Sequence, residues 1–89
     1  MQLTYDPNKN AWNIRERGLS FERAAEFDFA TARTKIDRRK DYGEIRYVST
    51  GYLEVRLHVL CYVETENGIH VISFRKANAR ERKKYETVD

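Results

Sequence analysis

The pair Arg75-Lys76, close to the carboxyl end of the chain, carries side chains suited to binding phosphate. A guanidinium donates two parallel hydrogen bonds to two phosphate oxygens, and an ammonium adds a compact positive charge. His58 precedes the pair in the same segment, and an imidazole exchanges a proton near neutral pH. These residue types predict that Arg75 clamps a phosphate diester while His58 moves a proton beside it.

An alternating segment from Leu53 to Lys76 must position these side chains. Alternate residues of its first half lie on opposite faces if the segment is a strand. The predicted core face carries Leu53, Val55, Leu57, Val59, Cys61 and Val63, and the mixed face carries Glu54, Arg56, His58, Leu60, Tyr62 and Glu64. The pattern therefore predicts one apolar face and one face available to a ligand.

The register of the returning strand depends on the turn. Asn67-Gly68 predicts a type I′ turn, which would place Leu60 opposite Arg75. The same register pairs Glu66 with Ile69, Val63 with Ile72 and Cys61 with Phe74. Arg75 and Ser73 would then lie beside His58 on the mixed face, and Lys76 would point to the other side.

Composition bounds the size and class of the molecule. The 89 residues, 40% of them hydrophobic, predict one domain spanning residues 1–89. Cys61 is the single cysteine, so we expect a small buried side chain and no internal disulfide. No apolar run is long enough to cross a membrane and the start of the chain lacks a signal pattern, so a cytoplasmic protein is expected.

Positive charge is concentrated in two runs, although the net charge is only +3. The first contains Arg33, Lys35, Arg38, Arg39 and Lys40, and the second contains Arg75, Lys76, Arg80, Arg82, Lys83 and Lys84. Two basic segments on a small scaffold favour a polyanionic partner, nucleic acid before membrane. Two merely solvated faces explain the charge equally well.

The remaining segments complete an α+β pattern. Asp6-Pro7 predicts a helix that ends near Arg17, and Ser20 predicts a second helix that ends near Asp28. Asn78, with Glu81 three residues on, predicts a short C-terminal helix that begins with a capping box.

The predicted strands other than the long hairpin are short. Gln2 to Tyr5 is a candidate edge strand, Thr31 to Arg39 is an ambiguous basic extended segment, and Ile45 to Thr50 is a strand closed by Gly51. Hairpin connections predict an antiparallel sheet of three to five strands, with the two N-terminal helices on one face. The other face is left for a ligand.

With these residues in this order, the chain resembles the BrnT family of type II toxins, which have a RelE-like fold. The resemblance rests on Tyr5-Asp6-Pro7 with Lys9 and Asn13, Gly18-Leu19-Ser20-Phe21 with Ala24, Tyr42-Gly43-Glu44 with Arg46, Gly51, and Ile72-Ser73-Phe74-Arg75-Lys76-Ala77 with Glu81-Arg82 and Tyr85. It covers nearly the whole chain.

The resemblance implies a small ribonuclease that arrests growth. It also implies neutralisation by an antitoxin of the BrnA type, repression of its own operon through that complex, which contacts operator DNA, and an assembly of two toxins with two antitoxins. Two positions depart from the family pattern: Glu16-Arg17 stands where relatives usually have Lys-His, and Thr65 where they commonly have Arg.

The site residues follow from combining the resemblance with metal-independent RNA cleavage by the neighbouring 2′-hydroxyl. Lys76 would assist Arg75, while His58 or Glu44 would serve as base and Tyr85 would donate a proton or stack on a nucleobase. The expected RNA-binding side chains are Lys9, Arg17, Arg46, Arg56, Tyr62 and Arg82. No cofactor is expected, because two histidines and one cysteine that are not clustered predict no metal site.

Two other functions fit the sequence. The departures at Arg17 and Thr65 favour a weakened toxin that binds its antitoxin and regulates transcription without cutting RNA. A non-catalytic RNA-binding protein that uses Tyr47, Tyr62 and the basic runs is a third possibility.

Overall fold

One mixed sheet organises the molecule. A computed structural model describes residues 1–87. In chain order the elements are β1 (Gln2–Tyr5), α1 (Pro7–Arg17), a 3-10 helix (Phe21–Glu26), β2 (Arg33–Ile36), β3 (Tyr47–Leu53), β4 (Arg56–Glu64), β5 (Gly68–Lys76) and α2 (Ala79–Glu86). The sheet order is β1-β5-β4-β3-β2.

The α+β class and the C-terminal helix are confirmed, and the sheet has five strands. The prediction of a wholly antiparallel sheet is wrong, because β1 pairs with β5 in parallel. The connection from β1 to β5 passes through the rest of the chain, so no hairpin forces these two strands to run in opposite directions.

Capping residues set the bounds of the N-terminal helices. The Asp6 carboxylate accepts a hydrogen bond from the Asn8 amide at 2.8 Å, and α1 begins at Pro7 as the sequence indicates. The Ser20 hydroxyl likewise accepts from the Glu22 amide, but the helix after it is a short 3-10 helix rather than an α-helix. Its backbone becomes extended at Phe27, whose ring enters the core.

Both faces of β4 are buried, so the expectation of one core face is wrong. Leu60 packs with Phe21 and Phe74 beneath the 3-10 helix. On the opposite face Val59 packs with Tyr85 of α2. The N-terminal elements and α2 thus lie on opposite sides of the sheet. The sequence of a strand that is covered on both faces is apolar throughout, so its alternation does not show which face is the core.

The predicted hairpin register is wrong at every pair. Leu60 lies opposite Phe74, Val59 opposite Arg75, and His58 opposite Lys76. The register shifts between Cys61 and Tyr62, where the β5 partners skip from Ser73 to Val71. This bulge inserts one unpaired residue, and a single extra residue exchanges the two faces of the strand that follows.

Two glycines mark close backbone contacts rather than turns. A Cβ at Gly68 would clash with the backbone of Gln2 in β1. The predicted type I′ turn is wrong, because it requires a positive φ at both positions and neither Asn67 nor Gly68 has one. Gly51 lies inside β3 instead of closing it, and a Cβ there would approach the Phe27 ring to 2.9 Å. The glycine at 51 lets the chain around Phe27 lie directly on the sheet.

Candidate functional site

Two basic clefts flank the end of β5. We call the first cleft the space of about 670 Å³ lined by Arg17, Gly18, Leu19, Arg23, Leu53, Glu54, Arg56, His58, Arg75 and Lys76. It lies on the side of the N-terminal helices, because His58 alternates along β4 with Val59, which faces α2. Its lining has five cationic side chains and one carboxylate.

His58 is anchored in the first cleft through one of its ring nitrogens. Its Nδ1 lies 2.8 Å from the carbonyl oxygen of Arg56, and because a carbonyl only accepts, Nδ1 carries the hydrogen. In the neutral ring, which the lowered pKa of His58 favours, Nε2 is the unprotonated nitrogen. Within residues 1–87, every fully buried side-chain nitrogen or oxygen has a hydrogen-bond partner. Nε2 of His58 has no such partner, so it is not fully buried and contacts the solvent of the cleft.

Burial lowers the pKa of His58. The hydrogen bond to the Arg56 carbonyl opposes this shift, and the nearby charges of Arg56, Lys76 and Arg23 add to it. The His58 residue is only 4% exposed, and its ring lies 5.4 Å from the ring of Phe74. A neutral imidazole with one nitrogen anchored and the other facing a basic cleft has the geometry of a general base.

Arg17 forms the wall of the first cleft at the end of α1. Its guanidinium donates to the Asn13 side-chain oxygen at 3.0 Å and to the Phe74 carbonyl at 3.4 Å, and it lies 5.0 Å from the centre of the Trp12 ring. Asn13 is 1% exposed and donates to the carbonyls of Leu19 and Phe74, so it ties α1 to β5. The helix end is thereby fixed against the cleft.

The second cleft lies on the opposite face of the sheet and has a volume of about 800 Å³. Its floor is two rows of side chains that cross four strands: Lys35, Val48, Cys61 and Ser73, then Arg33, Thr50, Val59 and Arg75. Its walls are the segment Asp37, Arg38 and Arg39 and the face of α2 that carries Arg80, Glu81, Lys84 and Tyr85. Both basic runs of the sequence therefore meet in this cleft.

Arg75 lines both clefts, and its guanidinium is bound by Glu81 of α2, the helix that forms a wall of the second cleft. Its two terminal nitrogens donate to the two Glu81 oxygens at 2.8 and 2.9 Å, while the Glu81 carboxylate also accepts from the Asn78 amide at the start of α2. The prediction that Arg75 lies beside His58 on one face is wrong: Lys76 takes that place, and Arg75 points to the other side. The ion pair docks α2 on the sheet.

This ion pair makes a prediction about acid stability. Arg75 lowers the pKa of Glu81 to about 2 from 4.5, so the ionised carboxylate favours the folded state above about pH 4.5, and this contribution is lost as the pH falls toward 2. We expect Glu81→Gln to lower the free energy of unfolding by about 1 kcal/mol at pH 6, since the pair is partly exposed, and by almost nothing near pH 2. Urea denaturation across this pH range measures the difference.

The exposed Glu86 of the same helix provides the control, and Glu86→Gln should leave the urea midpoint nearly unchanged at both pH values. Other carboxylates, such as Asp37 with its lowered pKa, act equally in all three proteins. A constant difference between Glu81→Gln and the unmodified chain at every pH would contradict the assignment.

The predicted base Glu44 and several predicted RNA-binding residues lie outside both clefts. Glu44 and Arg46 pair with each other at 3.0 Å, and Arg46 stacks on Tyr42. Lys9 and Arg82 are exposed but line neither cleft. The placement of Tyr62 on an open face is wrong: it is 7% exposed and shares a hydrogen bond with Ser49 under the N-terminal half.

The clefts also contain residues that the sequence did not single out. Arg23 lines the first cleft and binds Glu54, and Trp12 borders it through Arg17. Arg33 and Lys35 belong to a basic run visible in the sequence, but only the pairing of β2 with β3 shows that they face Arg75. The sequence showed the charge of Arg33 and Lys35 but not the face of the sheet on which they lie.

The comparison with known families covers most of the chain. The family model of the ribonuclease toxin BrnT, of type II toxin-antitoxin systems, matches residues 5–81. The chain belongs to the BrnT family. A search of curated proteins found no match. BrnT membership implies RNA as substrate and an antitoxin protein as partner, and it supports endoribonuclease activity.

Two further findings concern the described part of this BrnT protein. None of its helices has the length and apolar character that crossing a bilayer demands. Within residues 1–87 no three His, Cys, Asp or Glu side chains are grouped so that they could hold a metal ion.

Proposed function

We propose that the protein cuts RNA in the first cleft, without a metal ion, by using the 2′-hydroxyl next to the scissile phosphate. The observation that carries this proposal is His58, whose Nδ1 is anchored and whose Nε2 faces a cleft with five cationic side chains. Such a group can take the hydroxyl proton while the surrounding cations stabilise the charge that develops on the phosphate.

The steps assign one role to each group. Nε2 of His58 accepts the proton of the 2′-hydroxyl, and the 2′-oxygen attacks phosphorus. Arg56 and Lys76 bind the phosphate oxygens, and Arg17 binds the neighbouring phosphate. The bond from phosphorus to the 5′-oxygen breaks, and Lys76 gives that oxygen a proton, leaving a 2′,3′-cyclic phosphate and a 5′-hydroxyl. Exchange with water then restores both side chains.

In this proposal Arg75 positions rather than reacts, because Glu81 already occupies its guanidinium. Tyr85 likewise positions α2 rather than reacts, since its hydroxyl donates to the Thr31 carbonyl at 2.8 Å. Glu44, Arg46, Lys9, Tyr62 and Arg82 have no role in the mechanism.

Purified protein incubated with RNA in the presence of a chelator tests the proposal. We expect cleavage products that end in a cyclic phosphate, at a rate the chelator does not change. Intact RNA, or cleavage that stops with the chelator, would contradict it.

The proposed biological setting is a toxin with a RelE-like fold, neutralised by a BrnA-type antitoxin. The complex, with two copies of each chain, represses the operon through the antitoxin's contact with DNA. Co-expression with the protein encoded next to the toxin should restore growth that the toxin alone arrests.

A weakened toxin that only binds its antitoxin is the second candidate. It is favoured by Arg17, whose guanidinium is engaged by Asn13 and the Phe74 carbonyl in the position where relatives usually have histidine. Expression without antitoxin separates the two candidates, because a purely regulatory protein should leave growth unchanged.

Trp12 gives a direct optical test of RNA binding at the first cleft. It is the only tryptophan of the chain, its residue is 45% exposed, and Arg17 lies against its ring. An aromatic ring beside a phosphate-binding arginine can stack on an unpaired nucleobase, and such stacking stabilises the complex by about 1–3 kcal/mol per base. We expect single-stranded 2′-O-methyl RNA, which this mechanism cannot cut, to quench the tryptophan fluorescence.

Duplex RNA is the matched ligand, since its bases are already stacked, and it should quench much less. Trp12→Ala has no tryptophan left to report binding, so its affinity is measured with a dye-labelled RNA, and single-strand binding should weaken about tenfold or more. Replacing the exposed Ile14 of the same helix by alanine should leave it unchanged. Equal quenching by both RNAs would rule out stacking on Trp12.

A further inference from the structure

We propose that the second cleft binds an extended acidic segment of the antitoxin, whose side chains alternate between carboxylate and aliphatic. The identity of the partner rests on the proposed function. The surface and the chemistry of the segment rest on the charge, the floor and the strand edge of this cleft.

Charge is the first argument. The lining has seven cationic residues, Arg33, Lys35, Arg38, Arg39, Arg75, Arg80 and Lys84, and two acidic ones. Its formal charge is +5, whereas the whole chain carries +3, so the remaining residues are net negative. Both carboxylates are already paired, Asp37 with Arg39 and Glu81 with Arg75.

The five remaining cations, Arg33, Lys35, Arg38, Arg80 and Lys84, have no ion-pair partner within residues 1–87. Several like charges around one concave surface repel each other, and an acidic ligand relieves that repulsion. The cleft is therefore complementary to a polyanion.

The floor favours a protein over RNA. Between the cations of its two rows lie the aliphatic side chains of Val48 and Val59 and the thiol of Cys61. Proteins that bind single-stranded RNA use aromatic rings that are free to stack on its bases. The ring of Tyr85 is not free, because it lies against the Arg33 guanidinium at 5.1 Å and the Tyr52 ring at 5.6 Å. Apolar side chains of a peptide can fill such a floor, whereas phosphates cannot.

The strand β2 supplies a backbone template at the rim. It is an edge strand of the described sheet, pairs only with β3, and all four of its residues are exposed. An extended segment that adds to such an edge gains backbone hydrogen bonds and places alternate side chains on one face. In an added segment that alternates glutamate and valine, the carboxylates would lie on the cleft face near Arg33 and Lys35. The valines would lie on the other face of the sheet, that of Thr34 and Ile36.

The test compares two charge-reversal variants on the same helix. Arg80→Glu/Lys84→Glu changes side chains that line the second cleft, and Arg82→Glu/Lys83→Glu changes the same number of charges outside it. Each is titrated with a short peptide of alternating glutamate and valine and with single-stranded 2′-O-methyl RNA. Thermal unfolding first verifies that both variants are folded.

We expect the peptide affinity to fall at least tenfold further in Arg80→Glu/Lys84→Glu than in the control, and the RNA affinity to fall by the same factor in both. Equal loss of peptide affinity would overturn the proposal, because the peptide would then sense only overall charge. Selective loss of RNA affinity in Arg80→Glu/Lys84→Glu would also overturn it and make the cleft an RNA track. Neither titration requires RNA cleavage, so a protein that fails to cut RNA leaves this result interpretable.

Discussion

Replacing His58 by asparagine is expected to reduce RNA cleavage by about 10²–10⁴-fold, the usual contribution of a general base. The asparagine amide can still donate to the Arg56 carbonyl, as Nδ1 does now, but nothing replaces Nε2. Single-turnover cleavage of an RNA oligonucleotide measures the loss, and thermal unfolding reports whether the fold is retained.

The other histidine provides the control. His70 lies on β5 near the opposite end of the sheet, where its Nδ1 shares a hydrogen bond with Thr4 at 2.8 Å, and His70→Asn should cut RNA at nearly the unmodified rate. The pH profile gives a second readout. Because burial and neighbouring cations lower the pKa of His58, the rate should fall only below about pH 6.5 in the unmodified protein. Cleavage by His58→Asn at the unmodified rate would reject the mechanism.

Replacing Lys76 by alanine is expected to reduce cleavage by about 10²–10³-fold without lowering stability. Its ammonium lies on the face of His58, and the side chain is exposed, so its removal takes a positive charge from the phosphate site and leaves the core intact. Cleavage and thermal unfolding are measured on the same preparation.

Arg75→Ala is the matched variant, because it removes a cation from the next position whose guanidinium is already bound by Glu81 of α2. We expect it to lose about 1–2 kcal/mol of stability, since Glu81 loses its partner, but less than tenfold in cleavage per folded molecule. The reverse ranking, with Arg75→Ala far less active than Lys76→Ala, would move the reaction to the second cleft.

Local signals predicted much of the fold because their causes lie within a few residues. Asp6 with Pro7 and Asn78 with Glu81 fix the starts of α1 and α2 through hydrogen bonds that span at most three residues. The sequence named both His58 and Lys76 as candidate site residues but placed Arg75, not Lys76, beside the histidine; the structure has Lys76 opposite His58.

The predictions from sequence were wrong where contacts between distant segments set the structure. Asn67-Gly68 suggested a tight turn, but Gly68 is required by the approach of β1, and the bulge opposite Cys61 and Tyr62 shifts the register. A period of two assigns faces only as long as no residue is inserted, so this bulge was enough to exchange Arg75 and Lys76.

By itself the sequence determined the starts of α1 and α2, the α+β class, the family and the two runs of positive charge, because each depends on residue types and short spacings. Only the tertiary structure decided that the runs meet in the second cleft and that His58 shares a cleft with Lys76 while Arg75 binds Glu81. Those relations join residues far apart in the chain, and they are set by strand register and by which helix covers each face of the sheet.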